Sequence, residues 1–325
     1  MRRSSGSLVV VMGAIVLGVT LMLLGSALCA EKFPDRPITL IINYGAGGST
    51  DVAARLFATA AEKKLGVPIV IVNKPGAGGT LGPTEISRAK ADGYTIGTLP
   101  DSPIVITPFM QKVPYEPLKD FDFICGYGTY RYAMFVKADS RFKSVKDVVD
   151  WARKNPGKAT YASYSPGISV GFKYLEIKEN IKLTAIPLQS GQEAVTNVIG
   201  GHVDMGTGGE FFPFYENKEV RCLAVIADER LPFIPGCPSM KEAGYDIDIT
   251  GWMSLGAPAG VPKDRLTVIY NAFKAASEDG QVKAAMDKLM LTAPLINGEQ
   301  VRKVFEKRIV AMKPLIEALV AEQKK

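Results

Sequence analysis

The chain has 325 residues, 47% hydrophobic, 22% charged and 9% aromatic, a balance that suits a globular protein and excludes disordered and collagen-like chains. Its formal charge of +6 comes without a basic cluster, so nucleic acid is not an expected partner. With one histidine, His202, and no close spacing of His or Cys, neither a metal nor a cofactor is expected, and most acid–base catalysts are disfavoured.

Residues 1–30 read as a secretory leader. Arg2 and Arg3 precede an apolar run from Leu8 to Leu24, small residues follow at Ser26 and Ala27, and cleavage is expected after Ala30. The rival is an uncleaved anchor, because the run exceeds the ~7–15 residues of an ordinary leader core. Glycines interrupt the run, however, and no stop-transfer charges follow it. Lipidation at Cys29 is disfavoured by Leu28. The exported chain would keep Cys125, Cys222 and Cys237, which allow one disulfide at most; only Cys222 and Cys237 are close in sequence.

The first unit after the leader is an apolar strand, Ile38–Asn43, followed by Gly45-Ala46-Gly47-Gly48-Ser49-Thr50 and a helix with Val52, Leu56 and Ala60 on one face. The plan then repeats. A β-branched strand, Ile69–Val72, leads through Lys74-Pro75 into Gly76-Ala77-Gly78-Gly79-Thr80 and a second helix. Thr95–Leu99 supplies a third strand. Consecutive strand–helix units predict a parallel sheet with right-handed crossovers. The pattern restarts near Tyr130, with strands at Tyr132–Val136, Ala159–Ser163, Leu183–Pro187, Val203–Met205 and Val220–Ile226. The helices between them fall at Val145–Lys154, Ser169–Lys178 and Glu193–Ile199. Trp252–Ala257 is one more strand, and the remaining residues read as helices without strands that return to the first unit. The expected fold is α/β, with two lobes joined by crossings near 128–132 and 249–253.

Neither glycine loop is a Walker A, because no Gly-Lys-Ser/Thr follows, and Thr50 and Leu81 stand where a dinucleotide fingerprint needs its third glycine. What the loops do offer is converging backbone N–H groups ahead of a helix N-terminus, a nest for an anion. Two such loops on neighbouring parallel strands meet at the carboxyl edge of the sheet, where open α/β sheets hold ligands. The plain alternative is a pair of tight turns.

At these residues the sequence resembles the substrate-binding proteins of tripartite tricarboxylate transporters, also called Bug proteins. The likeness runs in order through Phe33-Pro34-Asp35-Arg36-Pro37, Gly47-Gly48-Ser49-Thr50-Asp51, Asn73-Lys74-Pro75-Gly76-Ala77-Gly78-Gly79 and Ala91-Asp92-Gly93-Tyr94-Thr95. It continues through Asn155-Pro156-Gly157-Lys158 to Ala257-Pro258-Ala259-Gly260-Val261-Pro262. The resemblance implies a two-lobed periplasmic-binding-protein fold of type II with a cleft between the lobes. It implies a periplasmic, monomeric chain that binds a small carboxylate and delivers it to inner-membrane transporter subunits. Lobe I would comprise 31–130 plus 252–325, and lobe II 131–251.

The resemblance also assigns a site. Tyr44, Gly45, Ala46, Gly47, Gly48, Ser49, Thr50 and Asp51 would form the first carboxylate loop, and Pro75, Gly76, Ala77, Gly78, Gly79 and Thr80 the second. From lobe II, Ser163, Tyr164, Ser165, Ser169, Gln189, Ser190, Thr207 and Gly208 would choose among ligands. The chain departs from the family there: Gly208-Gly209 replaces a frequent Asp-Asn pair, and Ser169-Val170-Gly171 a Ser-Ser-His run. The ligand therefore stays open between aliphatic and aromatic carboxylates. Tyr44 and Tyr164 have a second reading as lobe core, as do Phe211 and Phe212, and Arg131 reads as either a hinge residue or a second carboxylate contact.

One competing class is a secreted serine hydrolase, because Gly167-Ile168-Ser169-Val170-Gly171 fits the nucleophile-elbow pattern. Its triad would have to end at His202, no Asp lies between, and Pro166 interrupts the turn the elbow needs. Ser169 otherwise reads as a helix N-cap or a polar cleft contact, and His202 as a surface turn.

Overall fold

The computed structural model describes residues 32–291 and 293–322; the leader reading of 1–30 lies outside the described residues. Residues 32–35 belong to an N-terminal unit of their own, and the fold below is that of residues 36–325. No helix among the described residues is long and apolar enough to cross a membrane.

In chain order the first elements are β1 (Ile38–Ile42), α1 (Ser49–Leu65), β2 (Ile69–Asn73), α2 (Leu81–Ser87), β3 (Thr95–Thr98), a π-helical turn (Ser102–Ile106) and α3 (Thr107–Met110). After β4 (Phe121–Tyr130) come β5 (Ala133–Lys137), α4 (Val145–Lys154), β6 (Thr160–Ser163), α5 (Pro166–Glu179), β7 (Thr184–Pro187) and α6 (Gly191–Ile199). Next are β8 (Met205–Gly208), α7 (Phe212–Glu216), β9 (Val220–Val225) and β10 (Gly251–Pro258). The chain ends in α8 (Lys263–Glu278), α9 (Gly280–Lys288), β11 (Ile296–Asn297) and α10 (Gly298–Glu322).

These strands form two sheets, one in the order β11-β4-β10-β3-β1-β2 and the other β7-β6-β8-β5-β9. β1 runs parallel to both β2 and β3, so the loops after β1 and β2 leave the same edge. The first sheet is mixed rather than parallel throughout, because β10 pairs antiparallel with β3 and β4. The chain leaves this sheet at residues 131–132 and returns at Gly251. The C-terminal block is not free of strands: β11 pairs with β4 at Gly126 and Cys125.

Local chemistry sets the helix boundaries. α1 carries Asp51 in its first turn and Lys63 and Lys64 in its last, each favourable to the helix dipole, and it stops at Gly66, whose φ is 72°. Its buried face is Ala53, Phe57, Ala58 and Ala61, not the Val52–Leu56–Ala60 stripe, which is half-exposed. Ser144, Ser165 and Ser190 cap α4, α5 and α6, each accepting a backbone N–H three residues on. α5 therefore starts at Pro166, ahead of the predicted Ser169, since proline suits a first helical position.

The returning α10 sets Phe305 edge-on against Phe123 of β4, with ring centroids 5.3 Å apart. In the second sheet Phe135 stacks on Phe211 at 5.4 Å, so Phe211 is lobe core. Cys222 and Cys237 are disulfide-bonded, tying β9 to the loop beyond it, and Cys125 is a buried free thiol.

One buried ion pair holds the loop that follows β3. Arg308 of α10 donates from Nη2 to Asp101 Oδ2 at 3.1 Å and from Nε to Oδ1, with the Asp101 side chain only 4% exposed. Removing one partner of a buried pair leaves an uncompensated charge and costs about 3–5 kcal/mol. Arg308→Met should lose stability of that order in urea unfolding at neutral pH, and Asp101→Asn in the same chain should restore part of it.

Candidate functional site

The loops after β1 and β2 are locked together before any ligand is considered. Asn43, at the end of β1, donates from Nδ2 to the Gly79 carbonyl at 3.1 Å and accepts from Thr98 Oγ1 at 2.7 Å. Asp51 accepts from the Gly47 N–H at 3.0 Å, from Asn73 Nδ2 at 2.8 Å and from Arg55 Nε at 2.9 Å. Burial alone would raise the Asp51 pKa, but these hydrogen bonds outweigh it and hold the carboxyl below its usual range. Asp51 is thus a brace inside lobe I.

The second loop takes left-handed backbone at Gly76, Ala77, Gly78 and Gly79 in succession. Thr80 turns inward, donating from Oγ1 to the Ala77 carbonyl at 2.9 Å. At Gly78, φ is 67° and an added Cβ would sit 2.7 Å from Pro166 Cδ at the start of α5. The loop therefore abuts the other sheet's elements directly.

Several contacts close the two sheets' loops on one another. Gly45 N–H donates to the Gln189 carbonyl at 3.2 Å, and Gly167 N–H to Ser102 Oγ at 3.1 Å. Ser49 N–H, at the amino end of α1, donates to Glu210 Oε1 at 2.7 Å. Tyr44 and Tyr164 meet edge to face, with ring centroids 6.1 Å apart and planes at 88°.

Two spaces remain between the lobes. An outer cavity of about 410 Å³ is lined by Gly76, Ala77 and Gly78 on one side and by Ser163, Tyr164, Ser165, Ser169 and Gln189 on the other. An inner space of only about 20 Å³ is lined by Tyr44, Gly48, Ser49 and Thr50 together with Tyr164 and Ser165. The remaining expected residues lie elsewhere. Ala46 and Gly47 are exposed, and Pro75 lines neither space. Gly45 and Gly79 are backbone contacts, the latter against the Tyr44 ring. Ser190 is the α6 cap, accepting from Glu193 N–H at 3.2 Å. Thr207 is fully buried on β8, its hydroxyl without a hydrogen-bond partner among the described residues, and Gly208 lies beside Glu210.

Sequence reasoning missed Tyr130, Tyr132 and Glu210 in the inner space, and Lys173 in the outer cavity. Tyr130 donates to or accepts from Thr50 Oγ1 at 2.7 Å and stacks on Tyr132 at 5.5 Å. These two flank Arg131, the crossing residue that did draw notice; Arg131 lines a different hollow with Asp228 and Asp248. Burial pushes the Tyr44 phenol up to about 12 and raises Tyr130, Tyr132 and Tyr164 as well, so all four stay protonated at neutral pH. No lysine or arginine lines the inner space among the described residues.

The elbow reading of Ser169 fails on local geometry. Residues 167–171 lie inside α5, and Ser169 Oγ is paired with Ser163 Oγ at 2.6 Å, while His202 is exposed in the turn after α6.

Two α/β lobes whose loops close around a tyrosine-lined cleft have the architecture of a ligand-binding protein. The tripartite tricarboxylate transporter family receptor model matches residues 53–320. A Cupriavidus necator protein, described as the UPF0065 protein in the gbd 5' region, is 32% identical over 295 residues, covering 89% of each chain. The structure of periplasmic binding protein BugD superposes with a TM-score of 0.82 at 26% identity, covering 88% of this chain and 98% of that one. MatC from Rhodopseudomonas palustris, solved with bound malate, shares the fold with a TM-score of 0.81 at 22% identity, covering 88% of this chain and 100% of that one. The chain belongs to the tripartite tricarboxylate transporter receptor family, whose members and structural neighbours are periplasmic binding proteins and not enzymes.

The Gly78 contact yields a test of closure. Gly78→Val combines a left-handed φ with a clash against Pro166, so the arrangement seen here should become inaccessible. Small-angle scattering should report a larger radius of gyration for this variant than for the parent. An unchanged radius would mean the loop yields without opening the cleft.

Proposed function

We propose that the chain is an exported, monomeric receptor that captures a small carboxylate between its lobes and delivers it to inner-membrane subunits of a tripartite tricarboxylate-type transporter. The ligand is an aliphatic di- or tricarboxylate or an aromatic carboxylate. Lobe I, residues 31–130 plus 252–325, anchors the carboxylate, and lobe II, residues 131–251, discriminates among ligands. The leader is removed on export to the periplasm.

The observation that carries this reading is the juncture of the amino end of α1 with the second glycine loop on one sheet edge. Backbone donors and a helix dipole attract an anion there without a buried arginine. The neutral phenols of Tyr44, Tyr130 and Tyr164 supply further donors at any physiological pH. Hydrogen bonds to a charged group contribute about 1.5–3 kcal/mol each, so three or four approach the ~8 kcal/mol of a micromolar complex before ordering costs. The outer cavity offers space for the rest of the molecule, bounded by Tyr164, Pro187 and Leu188. Lys173 lines it too, paired with Glu176 at 2.7 Å, and is the cation available to a second carboxylate. The malate held by a structural neighbour supports the ligand class.

Closure follows from ligand contacts in both lobes. A carboxylate held by α1 and touching lobe II binds the closed form better than the open one, and that differential shifts the population. The transporter then has a shape to recognise.

A calorimetric panel of mono-, di- and aromatic carboxylates tests the assignment. Gly48→Val places methyls between Ser190 and Glu210, where a Cβ alone already lies 3.5 Å from Ser190 Cβ, and should weaken all ligands at least tenfold. Ser169→Ala and Gln189→Ala should re-rank the panel instead. Normal affinity in Gly48→Val would defeat the anchor.

A further inference from the structure

The inner end of the cleft already contains a carboxylate, and it belongs to the protein. Glu210 lies in the connection between β8 and α7 and reaches across the lobe boundary. Its Oε1 accepts from Ser49 N–H at 2.7 Å, at the amino end of α1, and its Oε2 accepts from Gly209 N–H at 3.0 Å. No lysine or arginine pairs with it among the described residues. The contact is therefore that of an acid with a helix terminus and not a side-chain ion pair.

The surroundings are shaped to this group. A Cβ at Gly191 would lie 2.3 Å from the Glu210 carboxyl carbon, and one at Gly208 would lie 2.6 Å from Oε2. Two positions without side chains thus provide the volume the carboxylate fills. Only about 20 Å³ is left beside it, near the smallest space that holds one water. A ligand carboxylate does not fit next to Glu210 at this terminus; it has to replace it.

We infer that Glu210 is a tethered competitor for the carboxylate anchor, and thereby an affinity-determining residue of the receptor. This rests on the reading of the α1 terminus as the ligand anchor. In the ligand-free protein Glu210 latches the lobes by standing in for the ligand. On binding, the incoming carboxylate takes the Ser49 amide and the side chain swings out, because two like charges at one donor repel. Stabilising the ligand-free closed form lowers the apparent affinity, since the ligand gains only its advantage over the latch. The chain should accordingly hold its ligand less tightly than the same cleft lacking this acid.

Glu210→Ala and the isosteric Glu210→Gln test the inference by titration calorimetry with succinate, citrate and benzoate, and by scattering from the ligand-free proteins. Glu210→Ala should bind its best carboxylate at least tenfold more tightly than the parent, and its ligand-free form should be more extended. Glu210→Gln, which keeps an acceptor but loses the charge, should fall between them. Equal or weaker carboxylate binding by Glu210→Ala would overturn the competitor role, with weaker binding marking Glu210 as a ligand contact instead. If the parent and both variants bind none of the three, the carboxylate function fails and this inference falls with it. If the parent binds one and Glu210→Ala does not bind it better, this inference fails alone.

Discussion

A helix that begins at the edge of a sheet, and the glycine loop that leads into it, leave backbone N–H donors without helical partners, and the cleft is organised by how those donors are satisfied. Gly47 N–H goes to Asp51 within lobe I, Gly45 N–H to the Gln189 carbonyl across the cleft, and Ser49 N–H to Glu210 across the cleft. The first bond makes the loop rigid, and the other two make lobe closure the means by which the donors find acceptors. A rigid anchor with a movable complement is what a capture-and-release receptor requires. The mixed first sheet serves the same end, because β10 and α10 return to brace the loop after β3 through Asp101 and Arg308. Ser102, next to that brace, accepts from the amino end of α5 in the other lobe.

Much of the scaffold was legible in the sequence where local signals agree. α4 was readable end to end because Ser144 caps it and its apolar residues recur at helical spacing. The strand–loop–helix repeat around the two glycine loops was readable because β-branched strands and glycine clusters alternate. β4 was missed for a physical reason. Its segment Phe-Asp-Phe-Ile-Cys-Gly-Tyr-Gly-Thr-Tyr is buried almost throughout, so it lacks alternation, and two of its residues are glycines under Ile296 and Leu291. The antiparallel course of β10 was equally invisible, since strand direction depends on a pairing remote in sequence.

The site divides along the same line. The two glycine loops carry a motif and were legible as cleft loops, whereas the groups facing them from lobe II carry none. Residues 49 and 210 are joined by a single hydrogen bond over a separation of 161, a relation no spacing rule encodes. Attention to Gly208 and Gly209 came within one residue of Glu210; Gly208 matters as space the carboxylate occupies, and Gly209 as a backbone N–H donor to it. Ser165 and Ser190 looked like ligand contacts because serines beside glycines at loop ends suit either role. Their hydroxyls cap α5 and α6 and so fix where those helices begin, and Ser165 lines both spaces of the cleft as well.

The most direct test follows the Ser49 backbone amide itself. In a protein labelled with ¹⁵N-serine, the Ser49 cross-peak can be tracked while a carboxylate that binds by calorimetry is titrated in. The account predicts that it shifts to a new bound position, saturating at the calorimetric stoichiometry as the acceptor changes from Glu210 to ligand. A Ser49 resonance that stays in place while the ligand saturates the protein would contradict it.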